Sequence, residues 1–156
     1  MSFRRPLDQK YPICANFLDW GERFEWYIDK DNGYWIPRGS EPGAKGQHRG
    51  TDFACPVGTP VMAMADGMIT KTGFERAIYT ELGCGLHILQ LVSLPGYDSW
   101  WIRYGHLRRV LVHLGDTVKA GQVVAESGQS GAAGYPMLHV DLMDTKHQYK
   151  EIPWTR

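Results

Sequence analysis

Apolar and other side chains alternate along several short segments of the chain, and this alternation predicts strands. In PMLHVDLMD, residues 136–144, Leu138, Val140 and Leu142 are apolar and alternate with other residues. Successive side chains of a strand point to opposite faces, so this segment predicts one face that packs on a core. The opposite face then carries Met137, His139 and Asp141 together.

Three further stretches predict β-hairpins, because alternating segments in them are separated by turn residues. TPVMAMADGMITKTG has an Asp66-Gly67 turn, LHILQLV and SWWIRYGHL flank the loop SLPGYD, and RRVLVHLGDTVKAGQVVAESG turns at Gly115-Asp116. No window of eleven or more residues has convincing helical periodicity. The pattern therefore predicts an all-β fold, made mainly of antiparallel sheets.

Length and composition indicate a single globular domain over residues 1–156. The chain is long enough to bury a sizeable core, and 43% of its residues are hydrophobic. Residues 1–45 are rich in Gly, Pro, Asn and Asp, so we expect a loop-rich N-terminal segment. Short strand patterns begin at about residue 46.

Charge and hydropathy exclude several classes of partner. Seventeen basic residues balance seventeen acidic ones, so no overall field directs the chain to nucleic acid. No run approaches the ~18 apolar residues of a membrane span. The N-terminal arginines precede no apolar stretch; if Met1 is the natural start, we expect synthesis in the cytoplasm without a signal peptide. Three widely spaced cysteines argue against a disulfide framework and a zinc finger.

Two other segments place chemically capable side chains on strands or strand ends. His48 and Asp52 are four residues apart, which puts both on one face of an extended segment. Cys55 is at an odd offset from Asp52, so we expect its side chain in the core, neither a metal ligand nor part of a disulfide. Tyr104 and His106 are two apart and are predicted to share a face. Two imidazoles and a carboxylate form the ligand set of a catalytic zinc site, with an open fourth position for water.

The same segments, in order and spacing, resemble the lysostaphin/LytM-type zinc endopeptidases. HRGTDFACPVGTPVMAMADGMI is similar to that family's His-x-Gly-x-Asp motif with its Pro-x-Gly-Thr-Pro-Val, YGHL to its Tyr-x-His-Leu, and PMLHVDL to its closing His-x-His strand. The resemblance covers residues 46–142 and excludes residues 1–45 and the tail 143–156. It implies a LytM/lysostaphin-like fold, a Zn²⁺ cofactor and hydrolysis of peptide cross-links in bacterial peptidoglycan.

Carried over residue by residue, the resemblance implies three zinc ligands, namely His48, Asp52 and His139. It also implies that His106 is a catalytic histidine. The position of the first histidine of His-x-His is Met137 here, and a thioether can neither donate a hydrogen bond nor exchange a proton. The lost group is typically worth 10²- to 10⁴-fold in rate. Tyr104 is interpreted as a structural aromatic, with a substitute donor as the alternative. Asp141 is either a residue that orients a ligand or a surface carboxylate.

Two functions follow from these residues. The first is a zinc-dependent endopeptidase that acts on peptidoglycan peptide in the cell wall. The alternative, which Met137 favours, is a catalytically degenerate zinc-binding module that binds cell wall or regulates another hydrolase. Delivery by phage lysis or phage tail proteins is compatible with both. Loops within 21–45 and 93–99 are expected to wall a groove that contains the zinc.

Overall fold

The computed structural model describes residues 3–16, 26–28, 35–37, 48–74, 83–93, 96, 98–146 and 148–155. These residues form strands and no helix, which confirms the predicted all-β class. The described part of the chain accordingly offers no helix long and apolar enough to cross a membrane. The strands are β1 Ile13–Ala15, β2 Trp26–Ile28, β3 Trp35–Pro37, β4 Thr51–Ala54, β5 Pro60–Met62, β6 Gly67–Phe74, β7 Leu86–Val92, β8 Trp100–Val110, β9 Thr117–Val118, β10 Val123–Ser127, β11 Met137–Met143 and β12 Tyr149–Lys150.

One large antiparallel sheet organises the described residues. Its main path runs β1-β4-β11-β8-β7-β6-β9, while β10 pairs with both β5 and β8, and β12 pairs with β11. Strands β2 and β3 pair separately with each other. Both β1 and β12 lie outside the segment 46–142, so the chain on either side of that segment also contributes strands to the large sheet.

Two of the three predicted hairpin stretches have the expected pairing. Strands β7 and β8 form a hairpin with Val92 opposite Trp100. Strand β10 returns along β8 with Ala125 opposite Val110. Between them the chain turns at Gly115, whose φ of +89° suits glycine.

The predicted hairpin around Asp66 and Gly67 is wrong in its pairing. Strand β5 pairs with β10, and β6 pairs with β7 and β9. The Asp66 carboxylate accepts a hydrogen bond of 2.8 Å from the backbone N–H of Ala120, and Gly121 N–H bonds to the carbonyl of Ala63. These bonds connect the segment around Asp66 to the turn that contains Ala120 and Gly121. Strands β5 and β6 therefore pair with different neighbours instead of with each other.

Strand β11 separates the hydrophobic core from the candidate site. Leu138, Val140 and Leu142 are buried in the core, as the alternation predicts. Met137 and His139 lie on the opposite face, outside that core cluster, yet they are buried as well. Because β11 lies between β4 and β8, side chains on this second face have a partner strand on each side.

Candidate metal centre

The register between β4 and β11 brings the two central side chains of the site together. His139 is directly opposite Asp52, and its Nδ1 lies 2.7 Å from Oδ1 of that carboxylate. His48, just before β4, places Nε2 at 3.1 Å from His139 Nδ1 and at 3.2 Å from Asp52 Oδ1. All three side chains are buried, and their ligand-competent atoms converge on one point.

This arrangement fits a zinc ion. A tetrahedral ion with bonds of about 2.0–2.2 Å separates its ligand atoms by roughly 3.3–3.6 Å, so the separations of 2.7 Å, 3.1 Å and 3.2 Å found here need to widen by less than about 1 Å. The second oxygen of Asp52, Oδ2, is buried and has no hydrogen-bond partner among the described residues. Two imidazole nitrogens with a carboxylate are a donor set typical of catalytic zinc, and they leave one position open.

Each candidate histidine ligand is held through its other ring nitrogen. His48 Nδ1 lies 2.9 Å from the carbonyl oxygen of Asn16, which can only accept, so this nitrogen carries the proton and Nε2 faces the cluster. His139 Nε2 lies 3.1 Å from Oδ2 of Asp141, and Nδ1 faces the cluster. Such partners orient the rings of metal-binding histidines.

Asp141 is in turn held by Arg103, which lies opposite it on β8. Arg103 donates from Nε at 2.9 Å and from Nη2 at 2.7 Å to the same oxygen, Oδ2. Asp141 is fully buried, so it is not the surface carboxylate that the sequence left open as an alternative. Sequence reasoning did not select Arg103, because its role depends on a cross-strand register that no motif of this sequence reveals.

The electrostatics of the cluster follow from burial and from these contacts. Burial opposes ionisation of Asp52, but hydrogen bonds from His139 and His48 outweigh it and hold the Asp52 pKa well below its usual range. Burial also opposes protonation of His139, yet the hydrogen bonds to Asp141 and Asp52 raise its pKa to about 9. Asp52 is therefore anionic at neutral pH, and His139 is protonated while no ion occupies the cluster.

His106 reaches the site through an irregularity in β8. The register between β7 and β8 shifts between Leu86 and Ile88, and His106 has a φ of +59°, uncommon outside glycine. Such a bulge adds one residue to a strand and redirects a side chain. The His106 ring lies 5.9 Å from the His139 ring between centroids. Sequence reasoning predicted the residue but not the bulge.

A backbone carbonyl fixes the protonation of His106. Its Nδ1 lies 2.7 Å from the oxygen of Ser130, so Nδ1 carries the hydrogen and Nε2 keeps a lone pair. Burial and the neighbouring His139 lower the pKa of His106 to about 4, so the ring is neutral at pH 7. A neutral ring with an available Nε2 can accept a proton.

The predicted shared face of Tyr104 and His106 is wrong, because the bulge breaks the alternation between them. Tyr104 is fully buried in the core. Its hydroxyl donates to Gln90 Oε1 at 2.6 Å and accepts from Met64 N–H at 2.8 Å. Tyr104 is thus a structural aromatic, the interpretation that the sequence favours, and it does not face the candidate metal ligands.

Met137 does share the site face with His139, as the alternation predicts. It lies opposite Ala54, two positions along the same ladder from the His139–Asp52 pair. Its side chain is only 3% exposed and lies outside the core cluster. A thioether therefore occupies the buried position beside the candidate ligand.

Two further expectations have different outcomes. Cys55 is a free cysteine within the core cluster, as its odd offset predicts, and burial raises the pKa of its thiol. The groove is expected to be walled by loops within 21–45 and 93–99. Most of these residues lie outside the described part of the chain, so that expectation stays a prediction.

Comparison with known proteins identifies relatives of this site. Residues 46–151 match the profile of peptidase family M23. The glycyl-glycine endopeptidase ALE-1 of Staphylococcus capitis is 42% identical over 98 residues, which are 63% of this chain and 25% of that protein. The peptidoglycan DD-endopeptidase ShyA of Vibrio cholerae is 31% identical over 90% of this chain and 26% of its own length. The chain thus spans about a quarter of these two relatives.

Solved structures show the same fold. A zinc-containing peptidase from Vibrio cholerae superposes with a TM-score of 0.68 and 25% identity, covering 97% of this chain and 39% of that one. The catalytic domain of lysostaphin from Staphylococcus simulans gives a TM-score of 0.64 and 27% identity, with 91% and 89% of the two chains covered. The similarity to a whole catalytic domain extends well beyond the motifs.

Proposed function

The chain belongs to peptidase family M23, of the lysostaphin/LytM type, and from this premise we propose that it is a zinc-dependent endopeptidase that hydrolyses peptide cross-links of bacterial peptidoglycan. The observation that carries the proposal is the convergence of His48, Asp52 and His139 on one point with both rings held from behind. Relatives named as endopeptidases of glycyl-glycine and of peptidoglycan support the substrate class. We propose one domain over residues 1–156 as the catalytic unit.

In this proposal His48, Asp52 and His139 are the metal ligands. A zinc ion bound there supplies Lewis acidity, which polarises a carbonyl group and makes water a better nucleophile. His106 then serves as the proton acceptor, because its Nε2 is the nitrogen left with a lone pair. Its neutral state at pH 7 and its burial next to the cluster suit this role.

Met137 removes one source of protons and hydrogen bonds from the reaction centre. General acid–base groups contribute about 10²- to 10⁴-fold to rate, so we propose a slow enzyme rather than an inactive one. Supporting this, His106 and the complete candidate ligand set are buried at the site. The second candidate function, a zinc-binding module that binds cell wall without cutting it, rests on Met137 alone. Delivery by a phage lysis or tail protein stays a prediction.

Incubation with defined peptidoglycan fragments, followed by mass spectrometry of the products, tests the proposal. We expect slow cleavage of a peptide bond in the cross-link, loss of cleavage with chelator, and recovery on addition of zinc. The matched control is His106→Ala, which leaves all three ligands in place and should keep its zinc while losing activity. If the zinc-loaded protein binds the fragments and leaves every peptide bond intact, the non-cleaving module is the better description.

A further inference from the structure

We propose that Arg103 is a positioning residue of the metal centre. Its guanidinium holds the Asp141 carboxylate against Nε2 of His139 and thereby fixes the ring that presents Nδ1 to the metal. The inference rests on the proposed function only in taking His139 as a ligand. Arg103 itself does not belong to the candidate ligand set.

The hydrogen bonds of Asp141 connect the two residues directly. One oxygen, Oδ2, accepts from Nε of Arg103 at 2.9 Å, from Nη2 of Arg103 at 2.7 Å and lies 3.1 Å from Nε2 of His139. Because the same oxygen makes all three contacts, the guanidinium fixes the position of the oxygen that contacts the His139 ring. The other oxygen, Oδ1, is buried and has no partner among the described residues, so it provides no competing anchor.

Arg103 is itself held in place. Its side chain is 17% exposed, and its Nη2 also donates to the hydroxyl of Tyr149 at 3.2 Å. The guanidinium lies 5.9 Å from the centroid of the Tyr149 ring, and Arg49 lies over the same ring at 5.4 Å. A planar fork that bonds a carboxylate through two nitrogens is geometrically specific, and lysine cannot reproduce it.

The charge of Arg103 has a second consequence for the same cluster. Cys84, His139 and Asp141 place ligand-competent atoms within 4.8 Å of one another, on the side of His139 away from Asp52. Burying a carboxylate without a counterion costs free energy, so such a group tends to bind a proton or a cation. Arg103 already supplies that cation. Asp141 therefore continues to orient His139 and does not bind a metal ion at the second group, which it forms with Cys84 and His139.

Strand β8 also contains a matched control. Arg108 donates to Glu126 Oε2 from Nε at 3.1 Å and from Nη2 at 2.6 Å, which is the same fork on a carboxylate. Its side chain is 55% exposed, and none of its described contacts involves the metal cluster. Arg103→Met and Arg108→Met therefore remove ion pairs of the same geometry, one buried beside the candidate ligands and one more exposed and away from them.

The test measures zinc affinity of the full chain by competition with a chromophoric chelator, together with the absorption spectrum of the cobalt-substituted protein. We expect Arg103→Met to bind zinc about 10- to 100-fold more weakly than wild type, the range typical when the hydrogen-bond network behind a metal-binding histidine is disrupted. The cobalt bands should shift because the His139 ring is no longer fixed. Arg108→Met should match wild type in both measurements. Arg103→Lys, which keeps the charge and secures folding, should recover only part of the affinity.

The outcomes separate this inference from the proposed function. Zinc affinity within threefold of wild type in both Arg103→Met and Arg103→Lys, with unchanged cobalt spectra, overturns the role of Arg103 alone. An equal loss in Arg108→Met also overturns it, because the effect would then be one of general stability. A wild-type chain that binds no zinc overturns both proposals.

Discussion

At the scale of single residues, Met137 is the position expected to limit the rate of the proposed reaction. Its side chain is buried on the site face beside His139 and has no exchangeable proton. Replacing it by histidine supplies an imidazole two positions from the ligand. We expect Met137→His to cleave peptidoglycan fragments about 10²-fold faster than wild type or more, measured as initial rates at saturating zinc.

A matched variant tests whether position or mere addition of an imidazole matters. Met143 lies on the same strand and the same face, opposite Trp101 and Tyr149, at the far end of β11 from Met137. Met143→His should leave the rate unchanged, and His106→Ala should abolish activity with either residue at 137. Robust wild-type turnover that falls in Met137→His would mean that the site has adapted to the thioether.

The residue scale also shows what the sequence can and cannot predict. Alternation alone put Met137 and His139 on one face of β11, and an even offset put His48 on the same face as Asp52; both hold in the structure. Arg103 was not predictable, because its role arises from pairing with a strand almost forty positions along the chain. Long-range register has no local signature.

At the scale of elements, the close approach of the chain before β4 to strand β11 forms the site. Gly50 permits this approach: a Cβ built there would overlap the carbonyl oxygen of Val140 and lie 2.8 Å from Cε1 of His139 and 3.0 Å from Cβ of Asp141. We expect Gly50→Ala to separate the two elements, to cost about 1–3 kcal/mol as overpacking does, and to weaken zinc binding. Urea denaturation and zinc content measure the two effects.

Gly134 supplies the control for that substitution. A Cβ there meets no atom within 4 Å, so Gly134→Ala should alter neither the urea midpoint nor the zinc content. Wild-type stability and zinc content in Gly50→Ala would show that β11 and the chain before β4 are not in the close contact described here.

The same scale explains the wrong prediction for Tyr104. Period-two alternation assumes a regular strand, and β8 contains an extra residue between the positions that pair with Leu86 and Ile88. The left-handed φ of His106 then turns its ring toward the site while Tyr104 and Leu107 both face the core. A bulge of this kind depends on the neighbouring strands, so the alternation of β8 by itself did not predict it.

At the scale of the whole molecule, the candidate ligands connect distant parts of the chain. His139 is 91 residues from His48 and 87 from Asp52, so an ion bound to all three links segments that are far apart along the chain. Unfolding separates these residues and destroys the site. Metal affinity is therefore expected to appear as folding stability.

The thermal midpoint of unfolding should consequently depend on zinc. With free zinc at about 100 times its dissociation constant, binding adds roughly 2.7 kcal/mol, which for a chain of this size raises the midpoint by about 5–10 °C. We expect EDTA to remove this increment from wild type, whereas His139→Ala should melt at one temperature with zinc or EDTA. His113→Ala is the control, because His113 has a 92% exposed side chain and should keep the full zinc effect. If EDTA leaves the wild-type midpoint in place while elemental analysis shows the metal gone, the three residues do not hold the ion that stabilises this fold.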